Sequence, residues 1–129
     1  MAYILQWHET RLNIQVDGDF DEEAIGMTAR YLSDPRFHQI RHLFIDMEQV
    51  QDFSIPAEAV RELSQLQISE DHAQREISVV MLVKGLLGYG IARMWENFLD
   101  VSGDHNWDIY IAEERHAAES WLAGKALTP

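Results

Sequence analysis

The stretch ISVVMLVKGLLGYGIARMWENFL, residues 77–99, reads as a strand, a turn and a helix in that order. Ile77 to Val83 is β-branched and apolar on both faces, which predicts a strand in the middle of a sheet. Gly85, Gly88 and Gly90 follow, and then Ile91, Met94, Trp95, Phe98 and Leu99 recur at the spacing of a core-facing helical stripe. A glycine-rich turn after a buried strand is also where nucleotide-binding folds hold phosphate. A P-loop needs a lysine and a hydroxyl after its last glycine, but Ile91 and Ala92 stand there and Lys84 precedes the glycines. A dinucleotide fingerprint needs an acidic residue about 20 positions on, at the end of the next strand. Asp104 and Asp108 lie before or at the start of that strand. The stretch is therefore read as a hinge that starts a helix, with free amides at the helix start.

Outward from this unit, the same two periodicities recur. Tyr3 to Trp7 and Arg11 to Val16 alternate as two antiparallel strands, and Asp17-Gly18-Asp19 is expected to end the second. Asp19 and Glu22 have capping-box spacing, and Phe20, Ala24, Met27 and Tyr31 form the stripe of a first helix that Asp34-Pro35 terminates. Leu43-Phe44-Ile45 predicts a short buried strand with Asp46 at its carboxyl end. Ser54-Ile55-Pro56 opens a second helix with Ser54 as N-cap and Ala59, Leu63 and Leu66 facing the core. Trp107 to Ile111 alternates as a last strand, and Glu113 to Leu122 forms a last helix anchored by Ala118, Trp121 and Leu122. The predicted fold is α/β, a central mixed, largely parallel sheet flanked by helices in the order ββαβαβαβα.

Composition narrows the function classes. The 129 residues suit one domain, 1–129, and the 47% hydrophobic share suits a folded chain. A formal net charge of −12 repels phosphate backbones and anionic headgroups, so nucleic acid is not an expected partner. No apolar run approaches the roughly 20 residues of a membrane span, and the start lacks the basic region of a signal peptide. With no cysteine, the expected setting is cytoplasmic and the expected protein is not an integral membrane one. No metal or cofactor is expected. Asp17, Asp19 and Asp21 lack the glycine and glutamate that a calcium loop needs further on. His38 and His42 sit between Pro35 and a strand rather than on one helix face. No nucleophile elbow is present, so Asp46 is the best single carboxylate for a catalytic or ligand-binding role.

The run Tyr89-Gly90-Ile91-Ala92-Arg93-Met94-Trp95-Glu96 resembles the Tyr-Gly, Ala-Arg-Met, aromatic-Glu signature of bacterial SpoIIAA-like proteins, stand-alone relatives of STAS domains. Ala118-Glu119-Ser120-Trp121-Leu122 is similar to that family's terminal helix, and Ile45-Asp46-Met47 to its strand ending in aspartate. The resemblance implies an α/β fold shared with anti-sigma-factor antagonists and likened to CRAL-TRIO lipid-binding domains, and no established catalytic activity. For sporulation-type antagonists it implies a phosphorylatable serine in an Asp-Ser-Ser-Gly turn before the second helix. Here that turn reads Asp52-Phe53-Ser54-Ile55-Pro56, Pro56 stands near the phosphoacceptor position, and Ser54 is the nearby hydroxyl.

Three functional expectations follow. The first is a non-enzymatic domain that binds a lipid or other small anionic amphiphile, with Asp46, Phe53, Gly88, Tyr89 and Gly90 around the ligand and Arg93 on its anionic head. The second is a protein-interaction regulator resembling an anti-sigma-factor antagonist, with Ser54 as partner contact or phospho-switch. The third is a hydrolase using Asp46. A homodimer is expected on the ground that small α/β domains with an exposed sheet edge often pair.

Overall fold

The computed structural model describes residues 1–69 and 72–126. The strands are β1 (Ala2–His8), β2 (Arg11–Phe20), β3 (His42–Phe53), β4 (Ile77–Leu82) and β5 (Trp107–Ala112). The helices are α1 (Glu23–Ser33), α2 (Ala57–Gln67), α3 (Gly85–Ser102) and α4 (Arg115–Ala126), with a 3₁₀ turn over Pro35–Gln39. The strands lie side by side in chain order, β1 antiparallel to β2 and the rest parallel. Right-handed crossovers that always step the same way put their helices on one face. Accordingly Leu12, Leu43, Ile45 and Val79 meet α1, α2 and α3 through Met27, Leu63 and Trp95 in the main core. Helix α4 covers the other face, where Phe44, Val80 and Leu82 pack on Ala118 and Leu122.

Several local expectations are corrected. Asp17-Gly18-Asp19 does not end β2: the strand shifts register twice against β3, with Gly18 at φ 81°, and continues to Phe20. Glycine takes that left-handed conformation without a Cβ clash, so an irregularity replaces a break. Phe20 is therefore a strand residue, 6.0 Å from the Phe53 ring. Neither Asp19 nor Ser54 caps a helix. Glu22 and Pro56 hold the N-cap positions without side-chain caps, and Asp19 instead accepts bonds from the Ser54 hydroxyl (2.7 Å) and amide (3.2 Å). Asp46 lies in the middle of β3, because the polar segment after it pairs with the extended β2. Leu66 is only half-buried, and Val60, Leu63, Ser64 and Gln67 form the inner face of α2.

A polar thread crosses the main core. The Trp95 indole N–H donates to Gln67 Oε1 at 2.6 Å, and Gln67 Nε2 donates to the Tyr31 hydroxyl at 2.8 Å. Burial pushes the Tyr31 phenol up to about 12, opposed by its hydrogen bonds with Gln67 and Thr28. The unfolded chain then loses this proton first, near pH 10, while the folded chain keeps it. Stability from this group is full below pH 10 and falls between pH 10 and 12, by about 2–3 kcal/mol in all. Urea titrations across this range are expected to show that loss, and Tyr31→Phe is expected to remove it.

Candidate functional site

The parallel strands all end on one side of the molecule, where the starts of all four helices gather. β4 enters α3 through Lys84, which is extended, and Gly85, whose φ of 81° lets the chain reverse. The helix begins at Gly85, so Gly88 and Gly90 stand inside it rather than in the turn before it. Gly88 serves close approach. A Cβ there would lie 3.0 Å from the tip of the Phe53 ring and 3.4 Å from Val83 Cβ.

Sequence reasoning placed six ligand residues together, and the structure gathers only some of them. Phe53 and Gly88 are in contact, with Tyr89 and Gly90 exposed beside them. Arg93 lies one turn beyond Tyr89, exposed, with its guanidinium 2.6 Å from Glu96. Asp46 is on the opposite sheet face, the α4 side. Its Oδ1 accepts the Glu48 amide at 3.0 Å and its Oδ2 is bonded to Arg115, so both oxygens are engaged. Those bonds to Asp46, and then Glu48, raise the Arg115 guanidinium above its ordinary value. Glu48 also lies 3.4 Å from Lys84.

The main core encloses an apolar cavity of about 30 Å³ among Met27, Met47, Met81 and Trp95, whereas small-molecule sites occupy about 300–1,000 Å³. The residues that sequence reasoning missed are Leu86 and Leu87, which are 91% and 61% exposed at the start of α3. Tyr89 adds a side chain that is 39% exposed. Their signal was present: Leu86 is seven residues before Arg93 and so falls on the polar flank of the helix.

No protein-family model matches this sequence, and no curated protein matches it. Among solved structures, an uncharacterised DUF3478-family protein with a SpoIIAA-like fold from Shewanella loihica PV-4 superposes with a TM-score of 0.57 at 16% identity. That match covers 94% of this chain and 92% of the other. An anti-sigma factor antagonist from Mycobacterium paratuberculosis gives 0.55 at 15% identity over 95% and 93% of the two chains. The anti-sigma factor antagonist SpoIIAA in its unphosphorylated form gives 0.51 at 13% identity over 93% and 97%. The chain therefore has a SpoIIAA-like fold, as its motif and element order led us to expect. Among the described residues, no helix is long and apolar enough to cross a membrane.

Proposed function

We propose that this chain is a non-enzymatic protein-interaction module of the anti-sigma-factor-antagonist kind, and that it docks a protein partner at the carboxyl ends of its parallel strands. The observation that carries this reading is the pair Leu86 and Leu87, held in solvent on the first turn of α3. Apolar side chains grouped on a surface mark an interaction site more often than a monomer's ordinary exterior. The turn Asp52–Pro56 lies against the same helix start through the contact of Phe53 with Gly88, which supports reading the two segments as one face. The structural likeness to two anti-sigma factor antagonists supports the same reading.

The other expectations fare less well on the same geometry. The core cavity of about 30 Å³ is too small for a lipid. The groove of about 350 Å³ between α1 and α2 is lined by Glu22, Glu58 and Glu62, which repel an anionic head, and Arg93 is already paired with Glu96. Asp46 has neither oxygen free to act as a base. A phospho-switch at the helix N-cap has no hydroxyl to use, because Pro56 occupies that position. At Ser54 a phosphate would face the Asp19 carboxylate, so modification there would act by repulsion.

Native mass spectrometry of the chain isolated from its own cells, with organic extraction of the same sample, tests the proposal. The expected result is a stoichiometric complex with a second protein and no extractable amphiphile. A stoichiometric amphiphile on an otherwise free chain would overturn it.

A further inference from the structure

We infer that the partner docks through an amphipathic helix whose apolar stripe is flanked by lysine and arginine. This rests on the reading of the carboxyl-end surface as a protein-docking face, and adds the chemistry of what docks there. The apolar part of the surface is small: Leu86, Leu87 and the half-exposed Tyr89 stand on two turns of one helix. A stripe of side chains at helical spacing matches a patch of that shape.

The rim supplies the charge argument. Asp52 is exposed next to Phe53, whose ring touches Gly88. Glu113 is exposed on the other side, directly after Ala112, whose carbonyl accepts the Val83 amide at 2.9 Å. Glu114 follows it, and Glu22 and Glu58 are exposed at the starts of α1 and α2. The cations at this end do not offset them, because Lys84 is paired with Glu48, and Arg115 with Asp46 and Glu48. Glu58 has Arg61 at 3.7 Å, and the Met1 ammonium at the start of α1 is taken up by Asp21 and Glu23, on either side of Glu22. An apolar knob inside a ring of carboxylates, on a chain of net charge −12, selects a cationic border on its partner and repels an anionic one. The same field opposes anionic membrane surfaces.

Two synthetic amphipathic peptides of equal length test this, one built of leucine and lysine and one of leucine and glutamate, titrated into the isotopically labelled full chain and followed by NMR. The leucine–lysine peptide is expected to shift resonances of residues 52–58 and 84–90 and to bind about 10-fold more weakly at 500 mM than at 50 mM salt. Asp52→Asn combined with Glu113→Gln is expected to weaken it about 5-fold at low salt, and the leucine–glutamate peptide is expected not to bind. Equal binding of both peptides, or shifts centred elsewhere, would overturn the inference. So would concentration-dependent self-association through Leu87, or binding to phosphatidylcholine–phosphatidylserine vesicles lost in Leu87→Asp. The two levels fail separately. A native protein partner whose binding ignores salt and the two neutralised carboxylates sinks this inference alone, whereas the absence of any protein partner sinks the docking reading beneath it.

Discussion

Leu87→Asp is expected to leave the chain folded and to weaken partner binding at least 100-fold. Leu87 is 61% exposed in the free chain, so its replacement removes little buried area and is expected to shift stability by less than about 0.5 kcal/mol. The new carboxylate sits in the first turn of α3, where the helix dipole favours it. In a complex the balance reverses. A leucine covered by a partner contributes about 1.5–3 kcal/mol, and a carboxylate buried there without a partner costs several more. A loss of about 2.7 kcal/mol is already 100-fold. Val101, 80% exposed near the other end of α3, provides the control, and Val101→Asp is expected to bind as the parent does. Affinity measured beside urea unfolding separates the two effects. Equal losses from both substitutions would mean that the surface is assigned to the wrong end of the helix.

The second large effect concerns stability. Trp95→Ala is expected to cost about 3–5 kcal/mol, from the loss of a large buried side chain and the cavity it leaves. Trp95 is 3% exposed and its N–H is the donor to Gln67 Oε1, so the substitution also leaves a buried acceptor unpaired. A domain of this kind has roughly 5–15 kcal/mol in total, which places the variant near the edge of folding at ordinary temperature. Gln67→Leu removes the polar thread while keeping Trp95, and Trp95→Phe is expected to cost about 1–3 kcal/mol for the orphaned amide oxygen on top of the volume it loses. Urea denaturation measures each. A neutral Trp95→Phe would show that the Tyr31–Gln67–Trp95 thread contributes nothing.

Elements whose residues answer to a single periodicity were legible in the sequence. The all-apolar run at 77–83 became the interior strand β4, and the Ile91 to Leu99 stripe became the inward face of α3. The segments that misled are those in which pairing supports polar residues. β2 runs through an Asp-Gly-Asp sequence that normally marks a turn, and β3 runs through Glu48 to Asp52, because each supplies hydrogen bonds to the other. Local pattern cannot register that mutual support. The site was legible only in part for a related reason. Gly88 and Phe53 were named for one site, and the structure brings them into contact, Gly88 leaving the space that the Phe53 ring fills. Asp46 and Arg93 looked available in the sequence, and both are engaged by partners, Arg115 in one case from a distant helix. Leu86 and Leu87 fell within the stretch read as a glycine turn, whereas α3 already begins at Gly85 and carries both in solvent on its first turn.

Hydrogen-exchange mass spectrometry of the chain alone and in complex with its native partner tests the docking surface most directly. The expected result is slowed exchange confined to residues 52–58 and 84–90, with the open strand β1 and helix α4 unchanged. Protection centred on α4, or along the β1 edge, would contradict the proposed surface.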